Sequence, residues 1–337
     1  MQLKFKWLAL IELVVILILL AVLIINFNSQ KTEKLNNSPE FKKQNYTGLL
    51  STRVYSGILE PKSLLIVNFD PLRRRLIEYI RENNLNISIY IVNLRDGASI
   101  GIRERRGFMP VSLNKVPVAI LIMKKIERGE LSFDTMIEIK DSDRTDTFGS
   151  LYKTTEKKLP LRILLEKMVK ESDNTAFNAL NRHTDEKDLQ FLLNYLDYHS
   201  KDIILPYPDN ETKDKLEYVN TKSIYNLFSS LYLSTLLEPK DSEYILSLLT
   251  ETVFDIKQIA KLPDNVIVVQ KFGAEYADKR KYFHSCGIMY IDKSRIFYCI
   301  LTENLEQQDA VKAISYVINL VHKYIIDVRN ELDSYRE

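Results

Sequence analysis

The sequence predicts an α+β fold, and three observations lead there. An alternating run near residue 90 and short apolar runs after residue 265 read as strands. Residues 129–262 between them show mainly helical spacing. The chain has 337 residues, 45% of them hydrophobic, enough to bury a sizeable core. Strands, then helices, then strands again place one antiparallel sheet, built from both chain ends, around a helical insert.

Each segment follows from its residues. Trp7 to Phe27 is almost wholly aliphatic and has the length, about 20 residues, that crosses a hydrocarbon core. Glu12 is its one charge, near the end; a central acid costs about 2.5–3.5 kcal/mol, and each Leu, Ile or Val returns about 0.3–0.6, so insertion wins. No small-x-small cleavage pattern follows, so the run reads as an uncleaved anchor. Lys4 and Lys6 favour a cytoplasmic N-terminus, although Lys31 and Lys34 weaken the bias. The expected organisation is a cytoplasmic tail (1–6), a single transmembrane helix (7–27), an extracytoplasmic linker (28–60) and one domain outside the cytoplasm (61–337).

Within that domain, Leu72, Leu76, Tyr79 and Ile80 space an amphipathic helix over 71–83, with Asp70 as its cap. Ile87 to Leu94 alternates as a strand, Arg95-Asp96-Gly97 turns, and 98–103 returns. A helix is expected from Ser112 to Arg128, with Pro117 slightly too deep and costing a hydrogen bond. Helical stretches follow at 161–171, 174–182, 186–198, 221–237 and 241–251. Strands are expected at 266–272, 282–291 and 296–302, and a closing helix at 306–329.

Composition excludes several functions. A formal net charge of +2 gives no global field for nucleic acid, and Arg73-Arg74-Arg75 and Arg103 to Arg106 read as solvated faces. Two cysteines rule out a disulfide scaffold or a four-thiolate zinc site. His183, His199 and His322 are scattered, so no metal site is argued, and His284 reads as structural. Cys286 and Cys299 flank a hairpin turning at Asp292-Lys293 and would face each other across it. Two buried thiols are the favoured reading, a disulfide the alternative.

Three short motifs carry the chemistry. Ser112-Leu113-Asn114-Lys115 puts a hydroxyl and an amine at i and i+3, on one helix face. A serine needs an adjacent base to become a nucleophile, and a lysine can be that base once burial lowers its pKa. Ser150-Leu151-Tyr152-Lys153 repeats the spacing, but in a loop-like stretch without the apolar helix that follows Ser112. Ser172-Asp173-Asn174 ends one helix and precedes the next, and Lys271-Phe272-Gly273 ends a Val-rich strand. Each is weak alone; their order and separation are not.

Together these stretches, with Gly129-Glu130-Leu131-Ser132, Glu171 to Thr175 and His284 to Ile288, resemble the serine β-lactamase and D,D-peptidase superfamily, closest to class A β-lactamases. The motif set of that superfamily is S-x-x-K, S-D-N and K-T-G. The resemblance implies a β-lactamase-like fold with a five-stranded sheet. It also implies acyl transfer from a β-lactam or a D-alanyl cell-wall peptide, without cofactor or metal. By it, Ser112 would be the nucleophile, Lys115 its base and Ser172 a proton donor to the leaving nitrogen. Asn174 and Lys271 would bind substrate, and Gly273 would lead into an oxyanion hole made by the N–H groups of Ser112 and Ala274. Two departures stand out. Phe272 replaces the hydroxyl residue of the lysine motif, and 203–221 lacks the loop Glu with an Asn four residues on, Glu211 and Glu217 having other neighbours. The expected enzyme is therefore a slowly deacylating serine hydrolase; the alternative is a catalytically silent binding or sensing module at the cell envelope.

Overall fold

The computed structural model describes residues 48–50, 68–198, 218–276 and 281–334. The predicted anchor at 7–27, most of the linker, and Glu211, Glu217 and His199 lie outside them. Among the described residues no helix is long and apolar enough to cross a membrane.

Helix α1 (Asp70–Glu82) buries Leu72, Leu76 and Ile80, the residues whose spacing predicted it. Asp70 is not its cap. It lies in the first turn behind Phe69, where its carboxylate accepts from Arg74 at 2.9 Å and complements the helix dipole. Strands β1 (Ile87–Asn93) and β2 (Ser99–Ile102) form the expected hairpin.

The helix expected from Ser112 begins differently. Val111–Asn114 is a 3-10 turn, and the α-helix, α2, runs Lys115–Glu127. Pro117 therefore falls in the first α-helical turn, where backbone N–H groups lack intrahelical acceptors, so the expected cost does not arise. Two three-residue strands that periodicity did not show, β3 (Met136–Glu138) and β4 (Lys158–Pro160), pair within the insert. The insert continues with α3 (Leu161–Lys170), α4 (Asn174–Asn181), α5 (Glu186–Tyr195), α6 (Thr221–Tyr232), α7 (Pro239–Leu248) and the single turn α8 (Ile256–Ile259).

Strands β5 (Ile267–Glu275), β6 (Tyr282–Ile291) and β7 (Ser294–Glu303) complete a five-stranded antiparallel sheet in the order β2-β1-β7-β6-β5, and α9 (Gln307–Ser334) closes the chain. The sheet is buried on both faces. Ile87, Ile89, Ile91, Ile296, Tyr298 and Ile300 pack against α1 and α9, while Val92, Phe297, Cys299 and Leu301 pack against the helical insert. Burial on both sides explains why β6 and β7 read as near-continuous apolar runs.

The β6–β7 register turns at Asp292-Lys293 and sets Cys286 opposite Cys299. The two are joined in a disulfide, which corrects the expectation of buried thiols. The edge strand β5 runs beside the 3-10 turn that carries Ser112.

Candidate active site

Residues from three distant stretches converge on one amine. Lys115 Nζ lies 3.0 Å from Ser112 Oγ, 3.0 Å from Ser172 Oγ and 2.6 Å from Asn174 Oδ1, and donates to the Ser172 carbonyl at 2.5 Å. The side chain starts on the first residue of α2, so one helical turn separates it from the hydroxyl in the preceding 3-10 turn. Lys115 is only 3% exposed. Burial lowers its pKa to about 7, against the opposing pull of the Asp173 carboxylate. A large share of the amine is therefore neutral near pH 7, with a lone pair able to receive a proton from Ser112.

Ser172 reaches the amine because the chain between α3 and α4 takes an unusual path. Its φ is +55°, in the left-handed region, and both its hydroxyl and its carbonyl turn inward to Lys115. Asp173 holds that path. Its carboxylate caps α4 by accepting from Ala176 N at 2.8 Å, and accepts from Ser150 N and Leu151 N at 2.7 and 2.8 Å. Gly149 allows the approach: φ is +102°, and a Cβ there would lie 2.2 Å from Asp173 Oδ2. Asn174 completes the stitching, donating from Nδ2 to Thr147 Oγ1 at 2.6 Å and from its backbone N–H to the Phe148 carbonyl at 2.9 Å.

On the other wall β5 brings Lys271 and Gly273. Lys271 is fully buried, and its ammonium lies 4.5 Å from the Phe272 ring centroid. Burial, and secondarily the Lys115 charge, hold its pKa well below the ordinary lysine value. Gly273 lets the strand approach the turn that carries Ser112, since a Cβ there would sit 3.3 Å from Ser112 N and from the Pro110 carbonyl oxygen. Ala274 follows, with its methyl on the core beneath α1 and α9, so its backbone is what it can offer the site. His284, opposite Gly273 in β6, donates from Nε2 to the Met109 carbonyl at 2.8 Å while Nδ1 accepts from Thr302 N at 3.3 Å. Burial pushes its pKa down to about 4, so the ring is neutral.

The second Ser-x-x-Lys does not pair. Ser150 Oγ donates to Glu171 at 3.0 Å, and Lys153 lies over the Tyr152 ring. Among the described residues no group of three His, Cys, Asp or Glu side chains stands close enough to hold a metal ion.

A buried lysine between two serine hydroxyls, on an α+β frame, directs the comparison with known proteins. The sequence profile of the β-lactamase enzyme family matches residues 71–325. The chain belongs to that family.

β-Lactamase VEB-1 of Pseudomonas aeruginosa is 26% identical over 219 residues, covering 60% of this chain and 72% of that protein. Among solved structures, a PBP-A variant captured as its acyl-enzyme with penicillin G superposes with a TM-score of 0.66 at 18% identity, over 80% of this chain and all of that one (100%). The TLA-3 extended-spectrum β-lactamase gives a TM-score of 0.67 at 17% identity, over 77% and 100%. At these identities the structural likeness establishes the fold. The β-lactamase enzyme family is one of serine hydrolases, and the cluster at Lys115 has the groups that such chemistry needs.

Within the family's motif set, Phe272 occupies the place of a hydroxyl residue. The sequence suggested only a lost hydrogen bond. The ring is in fact 4% exposed, wedged between Phe148 and Phe254 at centroid distances of 5.6 and 5.7 Å. Three further contributors escaped notice in the sequence: Asp173 as organiser of 149–151, and Thr147 and Phe148 beside Asn174. The signal was present in Gly149, a glycine in a polar loop whose left-handed φ marks a close approach.

Proposed function

We propose that the chain is a membrane-anchored, extracytoplasmic serine hydrolase that forms an acyl-enzyme on Ser112 with a β-lactam or a D-alanyl peptide and releases it slowly. One observation carries the reading: the buried Lys115 amine stands 3.0 Å from both the Ser112 and the Ser172 hydroxyls. The neutral amine takes the Ser112 proton as Oγ bonds to the substrate carbonyl carbon. The resulting oxyanion is held by the N–H groups of Ser112 and Ala274; such donors are worth about 2.7–4 kcal/mol each. The Lys115 ammonium then returns the proton through the Ser172 hydroxyl to the leaving nitrogen as the C–N bond breaks, which leaves Lys115 neutral and Ser112 acylated. Asn174 and Lys271 orient the substrate amide and carboxylate.

The β-lactam substrate is supported by the penicillin acyl-enzyme of PBP-A. Slow release is supported by the sequence of 203–221, which lacks the Glu and Asn pattern of a deacylating base. The apolar run 7–27 supports the anchor, and the Cys286–Cys299 disulfide supports an oxidising compartment. A silent binding module is the rival, favoured by one observation, the complete burial of Lys271 beside the Phe272 ring. Labelling with a fluorescent penicillin separates them. Covalent label that vanishes in Ser112→Ala supports the enzyme, label that persists there refutes the assignment, and its loss over time after excess drug is removed measures release.

A further inference from the structure

The two ends of the site differ in access. Ser112 is half-buried and can be approached, whereas Lys271 is 0% exposed and donates its hydrogen bond to the Phe272 carbonyl at 3.3 Å. The Phe272 ring lies 4.5 Å from its amine and is itself held by other rings. Phe272 comes from β5, and Phe148 comes from the opposite wall, the loop that Asp173 and Asn174 hold. The rings meet edge-on, with centroids 5.6 Å apart and planes at 60°. Phe254 backs Phe272 from a second direction at 5.7 Å. With Lys271 at 0% exposure beside the Phe272 ring, an anion reaches its amine only if groups around it move. In the closed arrangement the amine has a π-face in place of a counter-ion, 4.5 Å from the Phe272 ring centroid.

We propose that Phe148 and Phe272 form an aromatic latch that sets specificity at the Lys271 end of the site, admitting a substrate carboxylate only when the two rings part. The inference rests on Ser112 being the acylated residue. Its consequence is selective: a carboxylate-bearing acyl donor must open the latch, while the same donor with the carboxylate masked as an ester has no call on Lys271. The edge-to-face contact is worth about two- to twelve-fold in an equilibrium, so losing it should speed carboxylate-dependent acylation by about that factor. Placing a hydroxyl at 272 also adds a donor to the carboxylate, worth about ten- to 150-fold.

The matched probes are penicillin G and its methyl ester, with second-order acylation rate constants measured on wild type, Phe148→Ala and Phe272→Thr. The ratio of penicillin to ester should rise about two- to twelve-fold in Phe148→Ala and about ten-fold or more in Phe272→Thr. A ratio unchanged from wild type in Phe148→Ala overturns the latch. Should Phe272→Thr fail to fold, Phe148→Ala decides alone, because Phe148 is 37% exposed on a loop and its truncation leaves the core intact. Failure of both compounds to label Ser112 in any of the three proteins is a different result: it sinks the acyl-enzyme reading, and the latch with it.

Discussion

Replacing Lys115 with Met perturbs the site at its centre and makes two measurements respond. In the folded chain burial holds the amine at a pKa of about 7, with Asp173 opposing; in the unfolded chain it returns to about 10.4. Between those values the unfolded chain binds the extra proton, so the Lys115 contribution to stability rises with pH. Below about pH 7 both states hold the proton and the slope vanishes. One such group contributes about 1.4 kcal/mol per pH unit. Urea unfolding at several values between about pH 7.5 and 9 should therefore show a slope lower by about 1.4 kcal/mol per unit in Lys115→Met than in wild type, with Lys271 still contributing in both. Acylation responds separately. Removing a general base costs about 10²–10⁴ in rate, and wild-type acylation should rise about ten-fold per pH unit below pH 7, then level off. Acylation of Lys115→Met within ten-fold of wild type, or an identical stability slope, would refute the assignment of Lys115 as a buried base.

Three further outcomes are expected. Asp173→Ala removes the acceptor of three backbone N–H groups and should cost about 3 kcal/mol or more in chemical denaturation, with labelling of Ser112 falling as Asn174 loses its support. The double variant Cys286→Ser, Cys299→Ser opens a loop with a sequence separation of 13 and should lose about 3 kcal/mol, and reductant should bring the wild-type Tm down to that of the variant. His284→Ala frees the Met109 carbonyl ahead of the Ser112 turn and should slow acylation by about ten-fold, with partial rescue in His284→Gln, which keeps a donor. The ring is neutral above its pKa of about 4, so neither change should move the midpoint of the acylation profile near pH 7; a moved midpoint would give His284 a proton-transfer role instead of a positioning one.

Legibility in the sequence followed the range of the physics involved. The α1 stripe of Leu72, Leu76 and Ile80 and the strands flanking Asp292-Lys293 are local periodic patterns, and both were readable. That Ser112, Ser172 and Asn174 gather around Lys115 was foreseeable from the order and separation of their motifs and the resemblance these carry. The pairing of Cys286 with Cys299 was half readable: the register predicts opposition, but whether two facing thiols are bonded does not follow from register. Strands β3 and β4 have three residues each, too few for a period to show. The 3-10 turn at Ser112 escaped because it depends on Val111 taking φ +49°, which a β-branched residue adopts only when its surroundings compel it. Phe272 was seen as a missing hydroxyl and not as a covered lysine, because its cover comes from Phe148 and Phe254, remote in sequence.

Two buried lysines beside one serine present a conflict that the covering groups resolve. In the proposed reaction Lys115 must be neutral to accept a proton and Lys271 charged to attract a carboxylate, yet burial depresses both. Lys115 is enclosed by polar atoms, the hydroxyls of Ser112 and Ser172 and the Asn174 amide oxygen, which suit an amine in either state. Lys271 is fully buried near the Lys115 amine, and desolvation first, then that neighbouring charge, lowers its pKa; a carboxylate in contact would raise it again. Binding a carboxylate above neutral pH should therefore draw a proton from solution onto Lys271. Calorimetry of penicillin G binding to Ser112→Ala at pH 8, in two buffers of different ionisation enthalpy, measures that uptake without acylation. Net proton uptake is expected for penicillin G and close to none for the methyl ester. Equal uptake for the two compounds would show that Lys271 already carries its charge beneath Phe272, and the lysine would then be a preformed anion site and not one that the substrate completes.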